Sequence, residues 1–105
     1  MLEKNIEAKV CGYARERGLL AYKFTSPAHA AVPDRLFILP GGRMFSGDIL
    51  PGGRMFFCEF KRKGQKPTPA QEREHKRLRA YNVPVFVIDN VDDGLRMIDE
   101  MLASC

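Results

Sequence analysis

The sequence has no tryptophan, two histidines, three cysteines and no long apolar run. Cys11, Cys58 and Cys105 show no paired spacing, and an odd number of cysteines argues against a disulfide framework or a zinc finger. No apolar stretch approaches the roughly 18 residues of a transmembrane helix, and the charged start of the chain is unlike a signal peptide. We therefore expect a protein of the reducing cytoplasm with no membrane partner. Secreted scaffolds, membrane proteins and structural zinc modules are set aside.

The composition is that of a small basic globular protein. Its 105 residues include 17 Lys and Arg against 13 Asp and Glu, so the net charge is 17 − 13 = +4. The hydrophobic fraction of 45% and the charged fraction of 29% are typical of a folded domain rather than a disordered chain. A chain of this length has room for one hydrophobic core. We predict a single domain over residues 1–105.

Apolar periodicity and capping residues predict an α/β fold with the order α-β-β-β-α-β-α. Helices are predicted over 2–17, from Pro69 to about Tyr81 and from the Asn90 cap onward, and strands over 19–24, 34–39, 55–61 and 84–88. The middle helix has the clearest start, because Thr68 is a capping residue, Pro69 takes the first helical position and Gln71 lies three residues after the cap.

An 11-residue period is duplicated in tandem within residues 38–56. Residues 38–45 read Ile-Leu-Pro-Gly-Gly-Arg-Met-Phe, residues 49–56 repeat them, and Ser46-Gly47-Asp48 fills the gap. Either Pro-Gly-Gly can close a hairpin between the flanking strands. Because 11 is odd, lengthening a continuous strand by it would turn every later side chain to the opposite face. The extra segment must therefore loop out, form its own ribbon or alter the connection, and a strand exchange between two chains is expected.

Three charged residues on two neighbouring strands form a candidate catalytic group. Asp34 follows Pro33 at the start of one strand, and Glu59 and Lys61 share a face of the next because they lie two residues apart. If the strands pair, Asp34 can approach Glu59, and adjacent carboxylates favour Mg²⁺ or Mn²⁺ between them. A lysine beside the metal can stabilise developing negative charge or help to activate water. The plainer alternative is a Pro-Asp turn and an exposed Glu-x-Lys strand pair.

The segment from Lys61 to Arg79 is strongly basic, with eight Lys and Arg against two Glu. The candidate nucleic-acid contacts in this segment are Lys61, Arg62, Lys63, Lys66, Arg73, Lys76 and Arg77. A basic surface that begins at the candidate site would follow the phosphate backbone of DNA. The alternative is a solvated helix face.

Six motifs, in order along nearly the whole chain, resemble the virus-type replication-repair nuclease (VRR-NUC) family, a branch of the PD-(D/E)XK superfamily. They are Glu3-x-x-Ile6, Lys23-Phe24-x-Ser26-Pro27, Val32-Pro33-Asp34-Arg35, Pro-Gly-Gly-Arg, Glu59-Phe60-Lys61 and Gln71-x-x-x-His75. The resemblance implies a restriction-endonuclease-like core, in which a mixed sheet flanked by helices presents two acidic residues to Mg²⁺ or Mn²⁺. Small stand-alone members are typically phage-encoded and resemble Holliday-junction resolvases.

The same resemblance implies roles for four residues of the candidate site. Asp34 and Glu59 would be metal ligands, and the backbone carbonyl of Phe60 is a candidate third ligand. Lys61 would be the catalytic lysine.

Other positions carry open alternatives. A glutamate of the first helix would complete the acidic site, and Glu3 fits the family pattern best, with Glu7 one turn further on as the alternative. Gln71 either lies near the site, as a glutamine of the family does, or closes the capping box. His29 is interpreted as a loop or DNA-contact residue and His75 as a helix-surface residue.

These observations predict a Mg²⁺- or Mn²⁺-dependent DNA endonuclease that hydrolyses phosphodiester bonds, structure-selective for branched DNA such as Holliday junctions. A two-fold symmetric junction needs two cuts and so small a domain presents one active site, which favours a homodimer. The contrasting hypothesis is a non-catalytic basic nucleic-acid-binding module, in which Asp34 and Glu59 are ordinary surface acids.

Overall fold

The computed structural model describes residues 1–41 and 54–104 of the chain. Three helices and four strands follow one another there in the predicted order. The helices are α1 (Glu3–Glu16), α2 (Pro69–Ala80) and α3 (Val91–Ala103), and the strands are β1 (Leu20–Lys23), β2 (Arg35–Ile38), β3 (Met55–Phe60) and β4 (Val85–Ile88). Most of the duplicated segment, with its predicted hairpin and strand exchange, lies outside the described residues. Within the described ranges, no helix has the length and apolar character to cross a membrane.

The strands form one mixed sheet in the order β1-β2-β3-β4. β1 and β2 are antiparallel, β2 and β3 are antiparallel, and β3 and β4 are parallel. Parallel neighbours need a crossover connection, which α2 provides between β3 and β4. The mixed sheet with flanking helices confirms the fold predicted from the sequence.

The hydrophobic core lies between the sheet and the pair α1 and α3. Phe37 of β2 and Phe56 of β3 stack there, with ring centroids 5.1 Å apart. The two helices pack closely at Gly94, where an added Cβ would lie 2.4 Å from a methyl group of Val10. This close approach holds α1 against the sheet, so that its first two turns reach the edge of the candidate site.

The helix ends follow the capping signals of the sequence. Gly18 has a φ of +89° just after α1, a backbone conformation that glycine adopts without strain. At the start of α2, the Gln71 N–H donates to Thr68 Oγ1 at 3.2 Å and the Thr68 N–H donates to Gln71 Oε1 at 2.9 Å. The side chain of Asn90 accepts the Asp93 N–H at 2.8 Å at the start of α3. The predicted capping box and the Asn90 cap are therefore both confirmed.

We call the opposite face of the sheet the open face. The helix α2 covers only the part of it beside β3 and β4. Side chains of the open face run in rows across the strands, and one row joins Leu20, Ile38 and Met55. Leu20, Met55 and Tyr22 of the next row are about half exposed. Glu59 and Lys61 also point to the open face, because they alternate with core-facing Cys58 and Phe60.

Candidate active site

Glu59 and Lys61 are both buried at the carboxyl end of β3. Each has a relative exposure of 8%, although charged side chains are rarely that buried unless they are paired. The Lys61 N–H donates to the Ile88 carbonyl at 2.9 Å, which extends the β3–β4 pairing one residue past the strand. The exposed Glu-x-Lys strand pair considered from the sequence is therefore wrong.

Asp34 lies directly across from Glu59 in the register of the sheet. The last assigned β2–β3 pair is Arg35 with Cys58, so one further antiparallel step matches Asp34 with Glu59. The Asp34 carbonyl accepts the Phe24 N–H at 2.8 Å, which fixes this residue to the strand on its other side. Its side chain is 53% exposed, and one carboxylate oxygen lies 3.5 Å from Lys23 Nζ. The structure thus brings one buried and one accessible carboxylate together at the end of two strands.

The electrostatic environment of Glu59 disfavours its charged form. The pKa of its carboxyl is raised from 4.5 to about 7, chiefly by burial. The nearby charges of Asp34, Glu3 and Glu7 act in the same direction, against the opposing effect of the Lys61 ammonium. Its Oε1 is buried and makes no hydrogen bond within the described structure. A cation beside these carboxylates would relieve both penalties.

His75 packs against Glu59 from α2. It is 2% exposed, so its interpretation as a helix-surface residue is wrong. Its Nε2 lies 3.5 Å from Glu59 Oε1, beyond normal hydrogen-bond length, and neither atom has another partner among the described residues. Burial, followed by the charges of Arg79 and Lys61, lowers the pKa of His75. His75 lies four residues after Gln71 and three before Leu78, so the three share one face of α2. This spacing was the available sequence signal that His75 faces the sheet.

Glu3 and Glu7, the two candidate glutamates of α1, differ in their partners. Glu7 Oε2 accepts from Arg35 Nε at 2.8 Å and from Arg35 Nη2, and lies 3.2 Å from Lys23 Nζ. Glu3 is exposed and makes no ion pair in the part of the chain that the structure describes, yet its charge raises the pKa of Glu59. Both charges raise the pKa of Glu59, but only that of Glu7 is paired with basic side chains.

Pro33 leaves the main-chain carbonyl of Phe60 without a strand partner. The Leu39 N–H donates to the Arg54 carbonyl at 2.8 Å, so Arg54 directs its main-chain groups toward β2. In an antiparallel pair this direction repeats at every second residue, and therefore at Phe56, Cys58 and Phe60. Continuing this two-residue repeat matches Phe60 with Pro33, which has no N–H to donate. In this register β2 has no N–H to offer the Phe60 carbonyl, which lies between Glu59 and Lys61 in the chain.

Comparison with known proteins decides the family. No family model matches the sequence. The chain is 42% identical over 90 residues to "Putative nuclease p44" of Acyrthosiphon pisum secondary endosymbiont phage 1. The matched residues cover 86% of this chain and 85% of that relative. A solved structure described as a VRR_NUC domain has a TM-score of 0.74 and 28% identity, covering 92% of this chain and 94% of its own. The chain belongs to the VRR-NUC family.

The eight basic residues between Lys61 and Arg79 of this VRR-NUC chain fall into two groups. Lys61 is buried at the site, and Arg79 donates from Nη2 to the Val85 carbonyl at 2.6 Å. The remaining candidate nucleic-acid contacts are exposed, and they are Arg62, Lys63, Lys66, Arg73, Lys76 and Arg77. These six residues lie in the β3–α2 connection and on α2, so exposed positive charge follows the site along the chain.

His29 has a partner that the sequence did not reveal. It lies in the loop between β1 and β2, and its Nε2 is 2.6 Å from Glu74 Oε1 on α2. The imidazole is about half exposed, whereas the Glu74 side chain is 10% exposed. This contact joins the loop to α2 next to the VRR-NUC site.

Proposed function

We propose that this nuclease is a metal-dependent DNA endonuclease that hydrolyses phosphodiester bonds at Asp34, Glu59 and Lys61. The observation that carries the proposal is the burial of Glu59 and Lys61 on one face of β3, with Asp34 opposite Glu59 in the register. Burying two charges is costly, and ionisable groups with perturbed pKa values concentrate where chemistry needs them. Placement at the border of a basic surface suits a polyanionic substrate.

The residues present fit Mg²⁺ or Mn²⁺. Among the described residues, no three His, Cys, Asp or Glu side chains form a metal-binding cluster, but Mg²⁺ commonly uses one or two carboxylates and completes its shell with water and phosphate. The unpartnered Glu59 Oε1, the Asp34 carboxylate and the Phe60 carbonyl are all hard oxygen donors. These three would hold the ion. When bound, it would supply Lewis acidity and lower the pKa of a coordinated water.

Lys61 and Gln71 both have the chemistry to support hydrolysis. The Lys61 side chain is buried, so charge developing on a phosphate near its ammonium is screened less than in bulk water. Gln71 uses its amide oxygen in the capping box, which leaves its amide N–H groups to donate to substrate. The capping role and a role near the site are therefore compatible. Glu3 is placed to modulate the acidic site.

We further propose branched DNA such as four-way junctions as the substrate and a homodimer as the active form. Two coordinated cuts in a two-fold symmetric junction need two sites related by the same symmetry. The half-exposed Leu20, Tyr22 and Met55 of the open face support a second copy as partner, because contiguous exposed apolar side chains typify interaction surfaces. Covering them would remove apolar area from water.

The proposal is tested by cleavage of duplex, flap and four-way-junction DNA in Mg²⁺, in Mn²⁺ and in EDTA. We expect cleavage of the junction that needs the divalent ion and is lost in Asp34→Asn, Glu59→Gln and Lys61→Met. The carboxylate changes should also weaken Mn²⁺ binding, whereas Lys61→Met should largely preserve it. Glu16→Gln, an exposed change of the same charge, is the control. If the protein binds DNA but neither cleaves it nor binds Mn²⁺, it is instead the non-catalytic module.

A further inference from the structure

We propose that a cavity beside the active site binds one unpaired nucleobase of the DNA strand and discriminates among bases; the proposal rests on the function proposed above. The cavity has a volume of about 320 Å³ and lies between the β1–β2 loop, β3 and α2. Its apolar walls include Phe24, Val32, Phe57 and Leu78, and its polar rim includes His29 and Arg77. We call it the aromatic cavity.

The walls suit a flat aromatic ligand. Phe24 and Phe57 meet edge to face, with centroids 5.3 Å apart and an interplanar angle of 75°. One ring edge therefore points at the other ring, and both rings line the same opening. Stacking of a base on an aromatic side chain is a common way to bind single-stranded nucleic acid. The cavity is widely open to solvent, so a base can lie on its walls while it stays attached to the DNA backbone.

Glu74 supplies a carboxylate acceptor to the cavity, whose other polar side chains are Ser26, His29 and Arg77. The side chain of Glu74 is nine-tenths buried, and its Oε1 is occupied by His29 Nε2 at 2.6 Å. Its Oε2 has no hydrogen-bond partner among the described residues and can accept from a ligand. Adenine, cytosine and guanine carry an exocyclic amino group that donates to a carboxylate, whereas thymine presents carbonyl oxygens beside its single N–H. The cavity should therefore favour the amino-bearing bases over thymine.

The cavity is placed for a nucleotide next to the scissile bond. Phe24 is hydrogen-bonded to Asp34 through the main chain. Phe57 lies two residues before Glu59 on the same face of β3, and two residues of strand span about 7 Å. Arg77 is exposed at the rim, and the imidazole of His29 is half exposed, so positive or donor groups flank the opening for a phosphate.

A base can enter this cavity only after it leaves a duplex stack. Unstacking and unpairing a base costs free energy, and the cost is smallest where the base is already unpaired. Branch points offer such bases. The aromatic cavity thus gives a physical reason for preference for branched DNA, and adds a sequence preference at one position.

The test uses four-way junctions that carry 2-aminopurine, adenine, cytosine, guanine, thymine or an abasic residue at each nucleotide flanking the cleavage position. We expect the 2-aminopurine emission to change at one position on binding in EDTA. At that position the abasic junction should bind about fivefold more weakly or worse, and thymine should bind less well than the amino-bearing bases.

Glu74→Gln is the diagnostic variant, because it keeps the size of the side chain and adds donor N–H groups. It should reduce the discrimination against thymine. Glu72→Gln removes the same charge from an exposed position of α2 and should leave the base preference unchanged. Arg77→Gln, at the exposed rim, serves as a second probe of the cavity if Glu74→Gln fails to fold, and should reduce the emission change.

The outcomes separate the two proposals. Cleavage with equal binding of all bases and of the abasic junction would overturn the aromatic cavity as a base site and leave the nuclease assignment intact. A base-dependent emission change without metal-dependent cleavage would support the cavity and overturn the proposed catalysis. Equal base preference in Glu74→Gln and Glu72→Gln would overturn the role of Glu74 as the discriminating acceptor.

Discussion

Replacing Glu59 by glutamine should stabilise the metal-free protein at neutral and higher pH. In the folded protein the pKa of Glu59 is about 7, against an ordinary value of 4.5. Between these values the folded state binds more protons at Glu59 than the unfolded state does. The contribution of the protonated Glu59 to stability is therefore fully present below pH 4.5 and is lost as the pH rises through 7. A difference of this size corresponds to roughly 3 kcal/mol above pH 7. Glutamine keeps the shape and cannot ionise.

The measurement is urea unfolding in EDTA at pH 4.5, 6 and 8. The stability of Glu59→Gln minus that of the wild type should be near zero at pH 4.5 and should approach about 3 kcal/mol at pH 8, on the order of 10 °C in melting temperature. His75 contacts Glu59, so the difference reports the titration of this pair. Glu72→Gln, which changes an exposed carboxylate, is the matched control.

Saturating Mn²⁺ at pH 8 should largely cancel this difference in stability. A ligand at 100 times its Kd stabilises the protein that binds it by about 2.7 kcal/mol, and we expect this gain in the wild type and not in Glu59→Gln. A stability difference that does not vary with pH would refute the reasoning about burial. An equal gain from Mn²⁺ in both proteins would refute Glu59 as a ligand.

Three other changes probe separate parts of the structure. Pro33→Ala restores an N–H opposite the Phe60 carbonyl and should weaken Mn²⁺ binding measured by calorimetry, whereas Pro67→Ala should not weaken it; equal affinities would contradict a role for that carbonyl. Neutralising the exposed basic residues of α2, which are Arg73, Lys76 and Arg77, should lower the log–log salt slope of DNA binding by up to about 2.7, and an unchanged slope would show that α2 faces away from DNA. Deleting Ser46–Phe56 restores the shorter Asp34 to Glu59 spacing of 25 − 11 = 14 residues. If the duplication governs assembly, the number of chains per particle, obtained from the solution mass, should change. The same number in both proteins would make the duplication a tolerated loop.

The order of elements was predictable because its signals are local. The start of α2 is indicated within four residues by Thr68, Pro69 and Gln71, and the start of α3 is indicated by Asn90. The alternation of side chains along a strand is enough to predict that Glu59 and Lys61 share one face. Such signals depend only on neighbouring residues and backbone geometry.

The surroundings of the site were harder to predict because α2 has a largely polar buried face. Glu74 and His75 are the buried residues of that helix, so hydrophobic periodicity did not show which side faces the sheet. The contact of His29 with Glu74 joins residues 45 apart in the chain. Only the tertiary packing of the β1–β2 loop on α2 brings them together.

The candidate site and the duplicated segment lie at opposite ends of the β2–β3 pair. Asp34 and Glu59 face each other at one end, whereas Ile38 and Met55 close the described pairing at the other. Four residues of strand separate the two ends by about 13 Å. Changes in chain length can therefore enter at the Ile38–Met55 end without moving the carboxylates, which makes this connection a permissive position for genetic insertion of a tag or a reporter.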